Sequence, residues 1–425
     1  MRTTAAFLTL LCAAAPLAGQ DPAAQRAAQD SLEARLQRAE DAIERLRNQA
    51  QEQEQSKVGS RLRNRVQLSG LILTNAFYNN ARVNNSDAPQ FVLDAQDTSG
   101  LPNRHLGAAV RQTRLGVTVH NVRTLGAILG ADLQMDFFGG QLPSNNARTS
   151  PVLRVRTATA RIDWPRLGLL IGQESPLVSP NNPVSFAASG IPGFTGAGNL
   201  WLWIPQARLT YEINFSRGFR VGFQGAALAP MTPGPQGLFT TAADSAEKSG
   251  RPTAEARFYF GWGDGETESQ FGAGFHRGWI ATTGDTLLTS EAITADWRLA
   301  LGEKIQVLGE AFFNGQALAG LGGGGIGQNL GPNNMPVRAT GGWAQLNLRP
   351  SFAWEFGGGA GLDDVDEADI PINGGRGRNI HYTGHVHWRP GGGLLLGFEF
   401  RRMETRYSAG TIGANHLNWF AGVAF

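Results

Sequence analysis

From Arg65 to the C-terminus, apolar and polar residues alternate with the period of two that belongs to strands with one apolar face. The last stretch, 414–425, is the plainest case. Leu417, Trp419, Ala421, Val423 and Phe425 alternate with Asn418, Phe420, Gly422 and Ala424, and the apolar face runs out to the terminal residue. The same period marks segments 66–78, 106–119, 126–138, 152–164, 167–174, 200–213, 219–228 and 251–262, and then 268–279, 288–301, 304–314, 337–349, 352–361, 379–389 and 394–406. With 414–425 these predict about sixteen strands.

Loop length sorts by parity. The long connections expected are 79–105, 139–151, 175–199, 229–250, 315–336 and 362–378. Short ones lie between them at 120–125, 165–166, 214–218, 263–267, 302–303, 350–351 and 390–393. A barrel threaded up and down a membrane gives this asymmetry, whereas a soluble sandwich has no reason to produce it. The facing agrees. Leu115, Val117 and Val119 oppose Arg114, Gly116 and Thr118; Ala131, Leu133, Met135 and Phe137 oppose Asp132, Gln134 and Asp136; Ala254, Ala256, Phe258 and Phe260 oppose Thr253, Glu255 and Arg257. Apolar-out and polar-in is what lipid outside and water inside demand. Trp164, Trp262, Trp388 and Trp419 fall near strand ends, where amphipathic rings favour the membrane interface. The fold class expected is therefore all-β, a transmembrane antiparallel β-barrel.

Composition supports this and divides the chain. The 425 residues include 56 glycines and ten tryptophans, and the net charge of +2 calls for no nucleic acid. Beyond the first twenty residues no apolar run approaches the roughly 20 needed for a membrane helix. Residues 1–19 read as a signal peptide, with Arg2, an apolar core over 5–15 and a small-residue cleavage region at Ala18-Gly19-Gln20. The sole cysteine, Cys12, lies in that leader, which suits export through an oxidising periplasm. Residues 20–64 form a periplasmic helix and linker: Leu32, Leu36, Ala39, Ile43, Leu46 and Ala50 trace a short coiled-coil seam, which a gathered oligomer would support and a single solvated helix would leave unused. The barrel is 65–425.

Arg111-Gln-Thr-Arg-Leu-Gly116, Gly172-Gln-Glu-Ser175, Gly309-Glu-Ala-Phe-Phe-Asn-Gly-Gln316, Gly341-Gly-Trp-Ala-Gln345 and the terminal Phe425 resemble the DcaP-like trimeric porins within the general bacterial porin superfamily. The terminal Phe resembles the residue that the outer-membrane assembly machinery reads. The resemblance implies a homotrimer in the outer membrane, in contact with lipid and lipopolysaccharide. It also implies passive diffusion of small hydrophilic solutes, organic anions such as dicarboxylates among them, past a third loop that narrows the lumen. That loop corresponds to 175–199, with Ser175, Pro180, Asn181, Phe186 and Phe194 as candidate constriction residues. Strand parity points Arg114, Arg161, Arg208, Arg257, Arg298, Arg349 and Arg401 inward, against Asp132, Asp136, Asp163, Glu212, Glu255, Asp296, Glu310 and Glu399. The near-balance of sign does not itself favour anions, so selectivity depends on which charges meet at the narrowest ring. Arg154 and Arg156 share parity with Ala158 and Ile162; they sit at the outer rim or mark a bulge.

No catalytic group, metal or cofactor is expected. His381, His385 and His387 share one inward parity, and His-x-His can hold a metal or act as a base, but no carboxylate or serine partner is identifiable beside them. Gly320 to Gly325 matches G-x-G-x-x-G without a helix to follow. Asp363, Asp364, Asp366, Glu367 and Asp369 read as a solvated acidic loop, with a divalent-cation or lipopolysaccharide bridge as the alternative. Two rival functions remain: a barrel-borne hydrolase, and a structural or adhesive barrel tethered to the cell wall by its N-terminal helix.

Overall fold

The computed structural model describes residues 65–94, 101–124, 126–139, 151–215, 218–232, 243–263, 265–284 and 286–425. The signal peptide and helix expected at 1–64 lie outside them, as does most of the long connection expected at 139–151.

The alternating segments form one sheet of seventeen strands. In order they are β1 (Arg65–Asn79), β2 (His105–Ala109), β3 (Arg114–Thr124), β4 (Ala127–Asp136), β5 (Arg154–Asp163), β6 (Leu167–Glu174), β7 (Ile204–Asn214), β8 (Arg220–Leu228) and β9 (Thr253–Trp262). There follow β10 (Ser269–Ala281), β11 (Leu287–Leu301), β12 (Ile305–Gln316), β13 (Arg338–Ser351), β14 (Trp354–Val365), β15 (Arg376–Gly391), β16 (Leu394–Tyr407) and β17 (Gly410–Ala424). All pairings are antiparallel between neighbours, and β17 returns to β1 with Leu71 opposite Ala424 and Asn79 opposite His416. Phe425 exchanges backbone hydrogen bonds with Gly70 at 2.9 and 3.0 Å, so β17 is paired with β1 from residue 70 to residue 79 and the sheet closes on itself.

Both β2 and β3 pair with β1, end to end, and make a single stave of a closed sixteen-stave barrel. The segment expected at 106–119 is broken over 110–113. There the Thr113 hydroxyl substitutes for the ladder, accepting from Leu73 N–H at 3.1 Å and donating to the Leu73 carbonyl at 3.2 Å. Loop parity holds: 80–104, 137–153, 175–203, 229–252, 317–337 and 366–375 share one end, and the opposite end has only tight turns. Two connections on the long-loop end, 282–286 and 408–409, are themselves short. The strand expected from 200 begins at Ile204, because 200–203 belong to the loop before it.

The outer surface is apolar, with Leu209, Phe223, Phe258 and Ile293 each more than half exposed. Along β9 exposed Ala254, Phe258 and Phe260 alternate with buried Thr253, Glu255, Arg257 and Tyr259. Rings gather toward the tight-turn end: Trp354 stacks on Phe356 and Trp388, and Phe260, Trp262 and Phe271 form a second stack. Inside, the long loops fold back. Val178 and Leu200 from 175–203, and Leu318, Leu321, Ile326 and Val337 from 317–337, pack against inward Leu228, Ala292, Phe312 and Val365. This apolar plug fills one side of the barrel interior.

Candidate lumen constriction

The loop 175–203 lies inside the barrel because inward carboxylates bind its backbone. Leu177 N–H donates to Glu255 at 2.7 Å. Glu310 accepts from Asn181 N–H at 2.5 Å and from the Ser179 hydroxyl. Glu399 accepts from the Ser185 hydroxyl at 2.6 Å and from the amides of Phe186 and Ala187 at 2.6 and 3.1 Å. Neutral amides complete the seat. Gln345 donates to the Val184 carbonyl and accepts from Val184 N–H, while Gln112 accepts from Ser189 and Gly190 N–H and donates to the Ala187 carbonyl. Gly198 has φ +98°, and a Cβ there would lie 2.3 Å from Gly342 N, so only glycine lets the loop lie flat on β13.

Most residues expected to line the passage have other partners. Glu255, Glu310 and Glu399 face inward, as their parity required, but they are buried under the loop that they hold. Arg257 and Asp296 form a buried two-pronged ion pair at 2.8 and 2.6 Å. Asp136 is fully buried between Arg154 at 2.6 Å and Arg156 at 3.1 Å. Arg401 donates to the Pro89 carbonyl of the first long loop, and Arg208 to the Ser175 carbonyl at 2.6 Å. Arg298 donates to Asn181 Oδ1 at 3.2 Å. Of the loop residues, Asn181 and Phe194 are buried, Ser175, Pro180 and Phe186 half-buried. Phe194 stacks on Trp343 at 5.5 Å.

The open space is off-centre. A cavity of about 610 Å³ lies between the loop and the wall made by β3, β4 and β5. On the loop side it meets Asn182, Ser185 and Ser189; on the wall side Arg114, Asp132, Arg156 and Arg161. A second space of about 280 Å³ shares Arg161 and Asp163 with it and leads toward the tight turn at 164–166. Asp132 is held by the hydroxyls of Thr118 and Thr157 at 3.0 and 3.1 Å, and Arg161 pairs with Glu174 at 3.1 Å. Arg114 has no carboxylate within ion-pair distance among the described residues.

Of the two readings of Arg154 and Arg156, the bulge is realised: the β4–β5 register shifts between Gln134 and Met135. Two residues of β5 then oppose one, and both arginines turn inward. Trp203, whose ring lies 4.3 Å from the Arg156 guanidinium, also lines the cavity, and parity alone did not mark it. Of the three histidines, His381 meets the Gln90 carbonyl at 2.7 Å, apart from His385 and His387. Ser290, His276 and Glu255 are aligned at 3.2 and 2.9 Å as a hydrolase triad would be. Yet Ser290 Oγ donates to the Ala317 carbonyl at 2.9 Å, and the adjoining space of about 20 Å³ admits no substrate. The trio ties strands to a loop.

Neither models of protein families nor curated protein sequences give a match to this chain. Among solved structures, the outer-membrane channel DcaP of Acinetobacter baumannii is similar at 16% identity, over 87% of this chain and 99% of that one, with a TM-score of 0.63. The anion-selective porin from Comamonas acidovorans is similar at 14% identity, over 85% and 100%, with a TM-score of 0.54. The sixteen-stave antiparallel barrel is thus the fold of the bacterial outer-membrane porins.

Proposed function

We propose that the protein is an outer-membrane porin through which small hydrophilic solutes diffuse passively along the β3–β7 side of the barrel, with no covalent chemistry. The observation that carries this is the combination of an apolar outer face with a polar interior narrowed by 175–203 to a cavity of about 610 Å³. Small organic anions, dicarboxylates included, are the solutes favoured. Three interior acids are spent on seating the loop and a fourth on Arg154 and Arg156, so Arg114, Arg156 and Arg161 line the cavity against Asp132, Asp163 and Glu174, opposite the uncharged Asn182, Ser185 and Ser189 of the loop. The likeness to a channel and to an anion-selective porin points the same way. The organisation read from the sequence belongs to this proposal: an export leader at 1–19, a periplasmic coiled-coil segment at 20–64 and a homotrimer of the 65–425 barrel. The lumen residues Arg114, Asp132, Arg156 and Arg161 act as its electrostatic filter.

The test is reconstitution of the mature protein in a planar bilayer under a salt gradient. Discrete conductance steps with a reversal potential of anion-preferring sign are expected. Absence of conductance would favour the tethered structural barrel, and a cation preference above roughly tenfold would end the anion assignment. Electrophoresis of the unboiled protein should show a band of trimer size; monomer alone would remove the trimer.

A further inference from the structure

The wall of β14, β15 and β16 carries a cluster that the passage does not use. Register places Glu355 opposite His387 across β14 and β15, and His385 opposite Glu399 across β15 and β16. Alternation turns all four side chains inward. Glu355 Oε1 then lies 3.6 Å from His385 Nε2 and 3.4 Å from His387 Nδ1. The three atoms lie within 4.8 Å of one another, and none of them makes a hydrogen bond. Their side chains are 0, 3 and 0% exposed. Buried polar atoms are nearly always partnered, and these three converge, Glu355 Oε1 within ion-pair distance of both imidazole nitrogens, with no hydrogen bond to satisfy them.

The surroundings are those of a cation site. The edge of a tetrahedron with ligand bonds of 2.0–2.2 Å is about 3.3–3.6 Å, which the two carboxylate–imidazole separations match. Glu355 Oε2 is held from behind by Arg349 Nε at 2.6 Å and Arg389 Nη1 at 3.4 Å, which aims Oε1 at the imidazoles. Those arginine side chains are 40 and 32% exposed, so water screens their charge. His387 Nε2 meets Glu399 Oε1 at 3.1 Å; with the proton held there, the Nδ1 lone pair faces Glu355. Gly357 makes the space, since a Cβ there would sit 2.3 Å from His385 Cε1.

We propose that Glu355, His385 and His387 form a binding site for a divalent transition-metal cation of the zinc type. Two imidazoles and one carboxylate suit such a borderline ion, whereas calcium and magnesium need more oxygens. The imidazoles stack with centroids 4.2 Å apart, so taking the ion turns the His385 ring about its Cβ–Cγ bond until both lone pairs converge. The bound ion links β14 to β15. Through His387 and Glu399 it also reaches the seat of the 175–203 loop, whose Phe186 ring lies 4.9 Å from His387.

The test uses the mature protein without a polyhistidine tag, folded in detergent with zinc or cobalt(II), desalted into metal-free buffer and assayed for metal by mass spectrometry. One equivalent per chain is expected, with the intense visible absorption of tetrahedral cobalt. His385→Ala and Glu355→Gln should each lose it, and His381→Ala should keep it. Should Glu355→Gln not fold, His385→Ala decides alone. Substoichiometric retention by the wild type, or equal retention by His385→Ala, overturns the proposal. The readout is independent of conductance, so its failure leaves the porin reading untouched.

Discussion

Arg114 shows how one residue can set a bias in a lumen whose charges otherwise cancel. Among the charged groups lining the cavity, Arg161 is paired with Glu174, Arg156 with Asp136, and Asp132 is bound by two threonine hydroxyls. Arg114 and Asp163 both line the cavity without an ion-pair partner among the described residues, Asp163 also lining the second space toward the turn at 164–166. Arg114→Ala should therefore lower the anion-to-cation permeability ratio about two- to tenfold, the factor carried by roughly 0.5–1.4 kcal/mol of lost attraction at a partly wet site. Reversal potentials measure it, and an unchanged ratio would remove Arg114 from the filter. Arg257 and Asp296 behave differently, because they are 3 and 2% exposed. Asp296→Ala leaves a buried guanidinium unpaired and should cost about 3–5 kcal/mol of stability, read by urea unfolding in detergent, with selectivity little changed.

At the scale of elements, the strands were legible and their partners were not. Lipid on one side imposes alternation on every strand, and Leu115-Gly-Val-Thr-Val119 or Ala254-Glu-Ala-Arg-Phe258 displays it without help. The fate of each inward charge depends on residues far away in sequence. Glu310 meets a hydroxyl 131 positions before it, and only the closed barrel with its loop folded in brings them together. Glu355 was missed although its neighbours Trp354 and Phe356 face outward, which was the available signal. Parity also left Arg154 and Arg156 with two readings, because a bulge reverses facing at one position and leaves composition unchanged. The loop seat makes a direct prediction. Glu310→Ala orphans the buried Ser179 hydroxyl and Asn181 amide at roughly 1–3 kcal/mol each, so 175–203 should become protease-sensitive and single-channel current noisier. The turn around Asp244 should depend on pH instead. Burial alone would raise the pKa of Asp244, but the N–H groups of Thr232, Glu247 and Ala246 outweigh it and hold the carboxyl below its ordinary value. A depressed carboxylate stabilises this turn above its unfolded pKa, near 4, and that contribution is lost as pH falls through the lower folded value. Hydrogen exchange at Ala246 and Glu247 should accelerate, relative to intrinsic rates, only below about pH 4. Asp244→Asn should abolish that dependence.

The whole molecule divides into a packed side and an open side. Toward β11–β14 the interior is apolar, filled by Leu318, Leu321, Ile326 and Val337 against Phe312 and Val365. Toward β3–β7 it holds the two neighbouring spaces that share Arg161 and Asp163, with Asn182 and Ser185 lining the larger one together with Arg114 and Arg156. Rigidity and permeation are therefore assigned to different walls of one barrel, and they should separate under mutation. Phe312 is 1% exposed inside the plug, so Phe312→Ala should cost about 3–5 kcal/mol in unfolding while conductance stays within experimental scatter. Asn182 is exposed at the cavity and is not one of the plug residues, so Asn182→Trp should lower conductance and leave unfolding unchanged. Bilayer recordings and urea titrations on the same two variants make the comparison. If both properties moved together in either variant, ions would be passing through the centre of the loop layer, and the off-centre passage along β3–β7 would have to be abandoned.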